Sequence, residues 1–293
     1  MPTKPIISII GASARTSGWM RLYSSLVWNT ASFEVIFAGP CKPEYQLPAN
    51  FYHIETDVKP TQCMHAAALR AKGAYLLNSG DDVYYNRYAL DHLLNTFTEK
   101  ENDKYFLTPL GDWIIYDPKD SKILAKRIGQ IKHNYFFGQK TAPQYQEKNK
   151  FCPIMPHQGM FIKKHTYMEL GVPDIRFVAR FWDHDLAMRI YEKGGIGDVC
   201  VNAVFTETRL GWDDSILEPP ATMPDEQLLY SLWCKSDNQK NRYSTTQPAT
   251  TKNIIKEARK CNISILKQRS EKPQLFSDKD ILLESQGDKG RWQ

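Results

Sequence analysis

Short apolar runs and stretches with helical spacing alternate along the first two thirds of the chain. Ile6-Ile7-Ser8-Ile9-Ile10 is an almost unbroken apolar run that ends in small residues, Gly11-Ala12-Ser13-Ala14, the pattern of a buried strand opening into a loop. Trp19, Leu22, Tyr23, Leu26 and Val27 then recur at helical spacing over 19–28. Residues 33–37 read as a second strand closed by Gly39-Pro40, and 52–55 as a third. The spacing predicts a helix over 61–71, with Gly73 as its C-cap. Residues 74–77 form a fourth strand, which Ser79-Gly80-Asp81-Asp82 follows directly, and 88–97 form the next helix.

Further strands are predicted at 105–107, 113–116 and 123–126, the last two joined by the turn Asp117-Pro118-Lys119-Asp120-Ser121. Residues 127–150 are polar and read as a loop. They interleave Arg127, Lys132, Lys140, Lys148 and Lys150 with Tyr135, Phe136 and Phe137, the composition of a lid over a second substrate. A strand at 159–162, a helix at 164–170 capped by Gly171, a helix at 183–193 and a strand at 199–205 follow. Beyond Pro219-Pro220 the chain turns polar, with helical patches at 225–234 and 251–265. The expected organisation is an α/β domain over 1–218, with halves meeting near 105, and a helical, basic extension over 219–293. Strands alternating with helices predict a doubly wound, mostly parallel sheet, in which ligands bind beyond the carboxyl ends of the strands. The loops at 11–15 and 80–82 both lie at such ends.

Composition narrows the class. The 293 residues are 42% apolar and 24% charged, enough for a sizeable core. No apolar run approaches the roughly 20 residues that span a bilayer, and the N-terminus reads as a first strand, not a signal peptide. The six cysteines form no Cys-x-x-Cys pair and read as reduced thiols, so a cytoplasmic setting is expected. The net charge of +5 belongs to the tail: from Lys240 onward there are 12 Lys/Arg against 6 Asp/Glu. That excess suits a solvated helix face or peripheral attachment to an anionic membrane surface.

Two constellations carry the chemistry. Adjacent carboxylates at a strand end, Asp81 and Asp82, repel one another unless a cation offsets them. Mg2+ or Mn2+ suits, because hard cations take carboxylate oxygens and keep positions for phosphate; the plainer alternative is a turn or helix cap. Phe181-Trp182-Asp183-His184-Asp185 opens a helix. A carboxylate there is stabilised by the helix dipole and suits a general base, with N-capping as the plainer alternative. The aromatic pair 181–182 suits a sugar face, and His184 reads as an exposed helix residue.

Together these pieces resemble the GT-A nucleotide-sugar transferases, family two in particular, over roughly residues 5–210. The resemblance runs from the first strand and Arg15 through Ala71-Lys72-Gly73 and Ser79-Gly80-Asp81-Asp82. It continues in Gln158-Gly159-Met160-Phe161-Ile162, Glu169-Leu170-Gly171, and Asp183-x-Asp185-Leu186 with Arg189. It implies a metal-dependent glycosyltransferase moving sugar from a nucleotide-diphosphate donor to the hydroxyl of a glycan or lipid-linked glycan, with inversion. Asp183 would be the base. Ala12, Ser13, Arg15, Ser79, Gly80 and Asp81 would bind donor. Asp81, Asp82 and Glu207 would hold Mn2+ or Mg2+, and Gln158, Gly159, Trp182 and Asp185 would face the acceptor. The chain departs from the pattern at Ser79, where the family's first aspartate stands, at Trp182, where glutamate is usual, at Phe37-Ala38-Gly39-Pro40, where base-reading acids are usual, and at Glu207, near a usual histidine. No nucleic-acid partner is implied; self-association stays open. The rival classes are a non-catalytic carbohydrate-binding scaffold of the same fold, a sugar-nucleotide nucleotidyltransferase with a poor glycine-rich signature at 11–15, and a polymerase palm, which lacks its upstream aspartate motif.

Overall fold

The computed structural model describes residues 4–99, 105–117, 119–120, 122–130, 154–156, 159–174, 176–193, 195–210, 225 and 229. The first apolar run becomes β1 (Ile7–Ala12), buried along nearly its whole length because it lies between two other strands. It pairs in parallel with β2 (Phe33–Gly39) and with β4 (Tyr75–Asn78), and β2 pairs in parallel with β3 (Phe51–Glu55). The predicted doubly wound plan holds through this half. Beyond β4 the sheet is mixed. β4 meets β8 (Phe161–Lys163) antiparallel, β8 meets β6 (Tyr105–Tyr116) antiparallel, and β6 runs parallel to the long β9 (Ile196–Leu210). A short strand, β5 (Val83–Tyr85), adds antiparallel to β9, and β7 (Ile123–Gln130) forms a hairpin with β6. The described sheet has nine strands in the order β3-β2-β1-β4-β8-β6-β9-β5, with β7 on β6.

Helices cover both faces. On one, α1 (Trp19–Leu26) and α3 (Ala89–Thr98) bury Trp19, Leu22, Leu26, Leu90, Leu93 and Phe97 against Ile7, Ile9, Leu77 and Phe161. On the other, α2 (Pro60–Arg70), α4 (Lys164–Glu169) and α5 (Trp182–Glu192) pack Met64, Ala68, Tyr167, Leu186 and Ile190 against Ile10, Leu76, Phe106 and Ile162. No helix among the described residues is long and apolar enough to cross a membrane. The described cysteines, Cys41, Cys63 and Cys200, are free thiols.

The two ends of α2 show how local chemistry sets a helix. Pro60 opens it at a position whose N–H has no helical partner in any case, and Gln62 Oε1 accepts from Lys59 N at 3.1 Å. The expected glycine C-cap is not how it ends. Ala71 leaves the helix in an extended conformation (φ −56°, ψ 135°), and the next two N–H groups find side chains. Lys72 N donates to buried Glu34 Oε1 at 2.6 Å, and Gly73 N to Ser8 Oγ at 2.8 Å. Gly73 is glycine because of crowding: a Cβ there would lie 2.7 Å from Ser8 N and Oγ.

His65 on the same helix is buried, and burial lowers its pKa to about 4. The unfolded chain binds that proton near the ordinary value of about 6.5, so the stability is present above that pH and is lost as pH falls toward 4. Between pH 7.5 and pH 5 this amounts to about 2 kcal/mol. Urea melts at the two pH values should therefore show His65→Asn losing about 2 kcal/mol less than the parent; equal losses would sink this account.

Candidate active site

The loops after β1 and β4 leave the same edge of the parallel half, and their side chains interlock. Ser13 Oγ donates to Asp81 Oδ2 at 2.6 Å, and Trp19 Nε1 donates to Ser13 Oγ at 2.7 Å. Arg15 adds its backbone N–H to Asp81 Oδ2 at 3.2 Å, while its Nη2 reaches Asp81 Oδ1 at 2.8 Å and Asp82 Oδ2 at 3.2 Å. The 3-10 turn at Thr16–Gly18 lies directly against the acidic loop: a Cβ on Gly18 would sit 1.9 Å from the Asp81 carbonyl oxygen, so no other residue fits without moving backbone. Tyr45 closes the edge from the loop after β2, donating its hydroxyl to Thr16 O at 2.5 Å.

Asp82 is held from the other side. Its carbonyl accepts from Thr208 N at 3.0 Å and Arg21 Nη2 at 3.3 Å, and the β5–β9 register sets Val83 opposite Glu207. Glu207 is buried. Burial, with Glu207 and Asp81 beside it, pushes the Asp82 carboxyl up to about 6 against the opposing pull of Arg15. Asp81 and Asp82 thus share one guanidinium, and Glu207 adds a third carboxylate beside Asp82. Asp81 has both oxygens engaged in fixing the loop, and Asp82 Oδ2 shares the Arg15 guanidinium. Among the described residues no three His, Cys, Asp or Glu side chains converge closely enough to hold a metal by themselves.

Ser79, standing where the resemblance leads one to expect an aspartate, accepts from the buried Tyr85 hydroxyl at 3.3 Å and donates to Gly80 O. Asn78, which the sequence did not single out, is the last residue of β4. Alternation along the strand puts it on the α2–α5 face, and among the described residues neither of its buried amide atoms has a hydrogen-bond partner, which is unusual for a buried group. Gly159 packs beside it, with its Cβ direction meeting Pro109 at 3.2 Å and Asn78 O at 3.5 Å. Gln158 and most of the expected lid, 131–150, lie outside the described residues.

The second constellation reaches the same edge through α2, whose first turn follows β3. Thr61 N donates to Val178 O at 3.0 Å, which places the approach to α5 there. Asp183 stands in the first turn of α5, its side chain 21% exposed, with Oδ1 accepting from His184 N at 2.9 Å and lying 3.0 Å from His184 Nδ1. His184 is not the exposed residue expected. It is buried, edge-on to Phe181, and steadies Asp183. Two acceptor expectations need correction. Asp185 is fully buried and takes Arg189 Nη2 at 2.8 Å, so it has no surface to offer a ligand. Trp182 turns its indole into the α2–α5 core instead of presenting a face for a sugar. Two residues on from Asp183, Asp185 points to another side of the helix, because residues two apart do not share a face.

No protein-family model matches the chain, and no curated protein sequence does either. Solved structures do resemble it. GalNAc-T7, solved with UDP, GalNAc and Mn2+, superposes with a TM-score of 0.61 at 13% identity over 92% of this chain. TarS 1-349 of S. aureus, in complex with UDP-GlcNAc, gives 0.53 at 12% identity over 96% of this chain and 80% of that one. The chain spans 57% of the GalNAc-T7 chain. Likeness at such low identity speaks to architecture, and the chain has the GT-A fold, the fold of these nucleotide-sugar glycosyltransferases.

Proposed function

We propose that the chain is a glycosyltransferase that moves a sugar from a nucleoside-diphosphate donor to an acceptor hydroxyl. The observation that carries this is the cluster at the carboxyl edge of a GT-A sheet in which Asp81 and Asp82 share Arg15 and Glu207 stands beside Asp82. Such a cluster holds surplus negative charge that a divalent cation offsets. Mg2+ is characteristically bound by one or two carboxylates, with phosphate oxygens and water completing its shell. Asp82 and Glu207 fit that role, and a cation held there would neutralise charge on a departing diphosphate. Ser13, Arg15 and the Thr16–Gly18 turn would line the donor's phosphates.

In the reaction we propose, the acceptor oxygen attacks the anomeric carbon opposite the diphosphate. The bond from that carbon to the phosphate oxygen breaks, the nucleoside diphosphate leaves with the electron pair, and Asp183 takes the acceptor's proton. The product carries the opposite anomeric configuration. A glycan or a lipid-linked glycan is the acceptor class we propose, and the basic residues after Lys240 suit attachment to an anionic membrane surface.

The test is a thermal-shift panel of nucleoside diphosphates with and without Mn2+. A ligand at 100 times its Kd stabilises the native state by about 2.7 kcal/mol. The parent protein should show a metal-dependent shift with one nucleotide, and Asp82→Ala should lose it while melting normally in buffer. If no nucleoside diphosphate shifts the melt, with metal or without, the donor reading is wrong.

A further inference from the structure

Asp225 comes from a part of the chain whose composition marks it as an extension, yet its carboxylate is completely buried. It accepts three consecutive backbone N–H groups: Val178 N at 2.6 Å on Oδ1, and Ala179 N and Arg180 N, each at 2.8 Å, on Oδ2. These amides belong to the turn that leads into α5, immediately before Phe181, Trp182 and Asp183. Leu229, four residues beyond Asp225, is likewise buried, in the α2–α5 core.

We infer that Asp225 is a positioning residue for Asp183, holding the 178–180 turn so that α5 begins at one place and in one orientation. The turn is gripped from both sides, by Asp225 on its N–H groups and by Thr61 N on Val178 O. What it holds resists relaxation: Phe181 sits at φ 63°, a left-handed conformation that a bulky residue adopts only when its surroundings impose it. The Phe181 ring packs on the α2–α5 core and edge-on to His184, the residue that steadies Asp183. A single carboxylate accepting three N–H groups is a strong, charge-assisted anchor, and it sits just upstream of a group whose placement has to be accurate to well under an ångström. Misplacement by about 1 Å is enough to cost about 10²-fold in rate.

This inference rests on the proposed transfer reaction, and its test separates the two. Asp225→Asn keeps the size and one acceptor oxygen, but whichever way its amide turns, an NH2 faces at least one of the three N–H groups; Asp225→Glu restores a carboxylate. Hydrogen exchange of the 177–184 segment and steady-state transfer kinetics are measured on the full chain. The expected result for Asp225→Asn is faster exchange over 177–184, kcat reduced by about 10–10²-fold, and donor KM and the nucleotide-induced melting shift within about twofold of the parent, with Asp225→Glu recovering part of kcat. A simple structural role would lower kcat and donor binding together, in step with loss of folded protein, and that outcome overturns the inference. So does unchanged kcat in a variant whose exchange has quickened. Absence of transfer by the parent itself, with nucleotide binding intact, would overturn the reaction and this role with it.

Discussion

Asp183→Asn is expected to lower sugar transfer by at least about 10²-fold while leaving nucleotide and metal binding in place. The substitution keeps the shape of the side chain and its hydrogen bond from His184 N, and removes the capacity to take a proton. A positioned base contributes about 10²–10⁴-fold, and the setting of Asp183 motivates its choice for that role. It stands in the first turn of a helix, partly open to solvent, with its carboxylate fixed by the neighbouring histidine. Asp185 is its natural competitor from sequence, and the structure removes it: that carboxylate is buried in an ion pair. The two variants should therefore differ in kind. Asp183→Asn should melt like the parent and lose turnover. Asp185→Asn should melt early, and its surviving folded fraction should keep turnover. Near-normal transfer by Asp183→Asn would dismiss it as the base, and a product that keeps the donor's anomeric configuration would dismiss the single displacement.

The parts of the molecule legible in the sequence are those where a local pattern meets a local cause. β1, β2, β3 and β4 fall within two residues of their predicted runs; β1, β2 and β4, inside the sheet, show as nearly unbroken hydrophobicity because both faces are covered. What the pattern missed was set by distant partners. Tyr105 to Tyr116 is one strand, not two. β9 runs alongside its whole length and gives Pro109, Gly111 and Asp112 a neighbour that their own propensities would not have secured. β5 is three residues long and exists because β9 offers it an edge. At the candidate site the residue types Arg15, Asp81, Asp82 and Glu207 were visible, but the bond from Arg15 to Asp81 spans 66 positions and that from Thr208, next to Glu207, to Asp82 spans 126. The roles of Asp185 and Trp182 were misassigned for a related reason. Charge and aromaticity at a helix start look the same whether the side chain faces solvent or the core, and only the packing of α5 on α2 decides which. Asp225 was invisible as anything more than the start of a polar helix.

The largest stability effect should come from the pair that settles the case of Asp185. Arg189 is 1% exposed, and besides Asp185 it donates to the carbonyls of Leu170 and Val172, the latter at 2.7 Å. Those carbonyls flank a turn in which Gly171 (φ 84°) and Val172 (φ 54°) are both left-handed. For a β-branched residue that conformation is a genuine outlier that survives only when its surroundings fix it. Arg189 therefore ties α5 to the end of α4 while neutralising a buried carboxylate. Arg189→Met should remove both functions and strand the Asp185 charge in an apolar core, a loss of about 3–5 kcal/mol. In a domain of this size each kcal/mol moves Tm by roughly 2–4 °C, so the melt should fall by roughly 6–20 °C. Asp185→Leu combined with Arg189→Met should recover much of that fall, because a buried ion pair replaced by well-packed apolar residues is often neutral or better. The shortfall that remains measures what the two carbonyls and the Val172 turn lose without their guanidinium. A double variant no more stable than Arg189→Met alone would mean that the stranded charge is not the source of the loss, and that Arg189 acts through the turn.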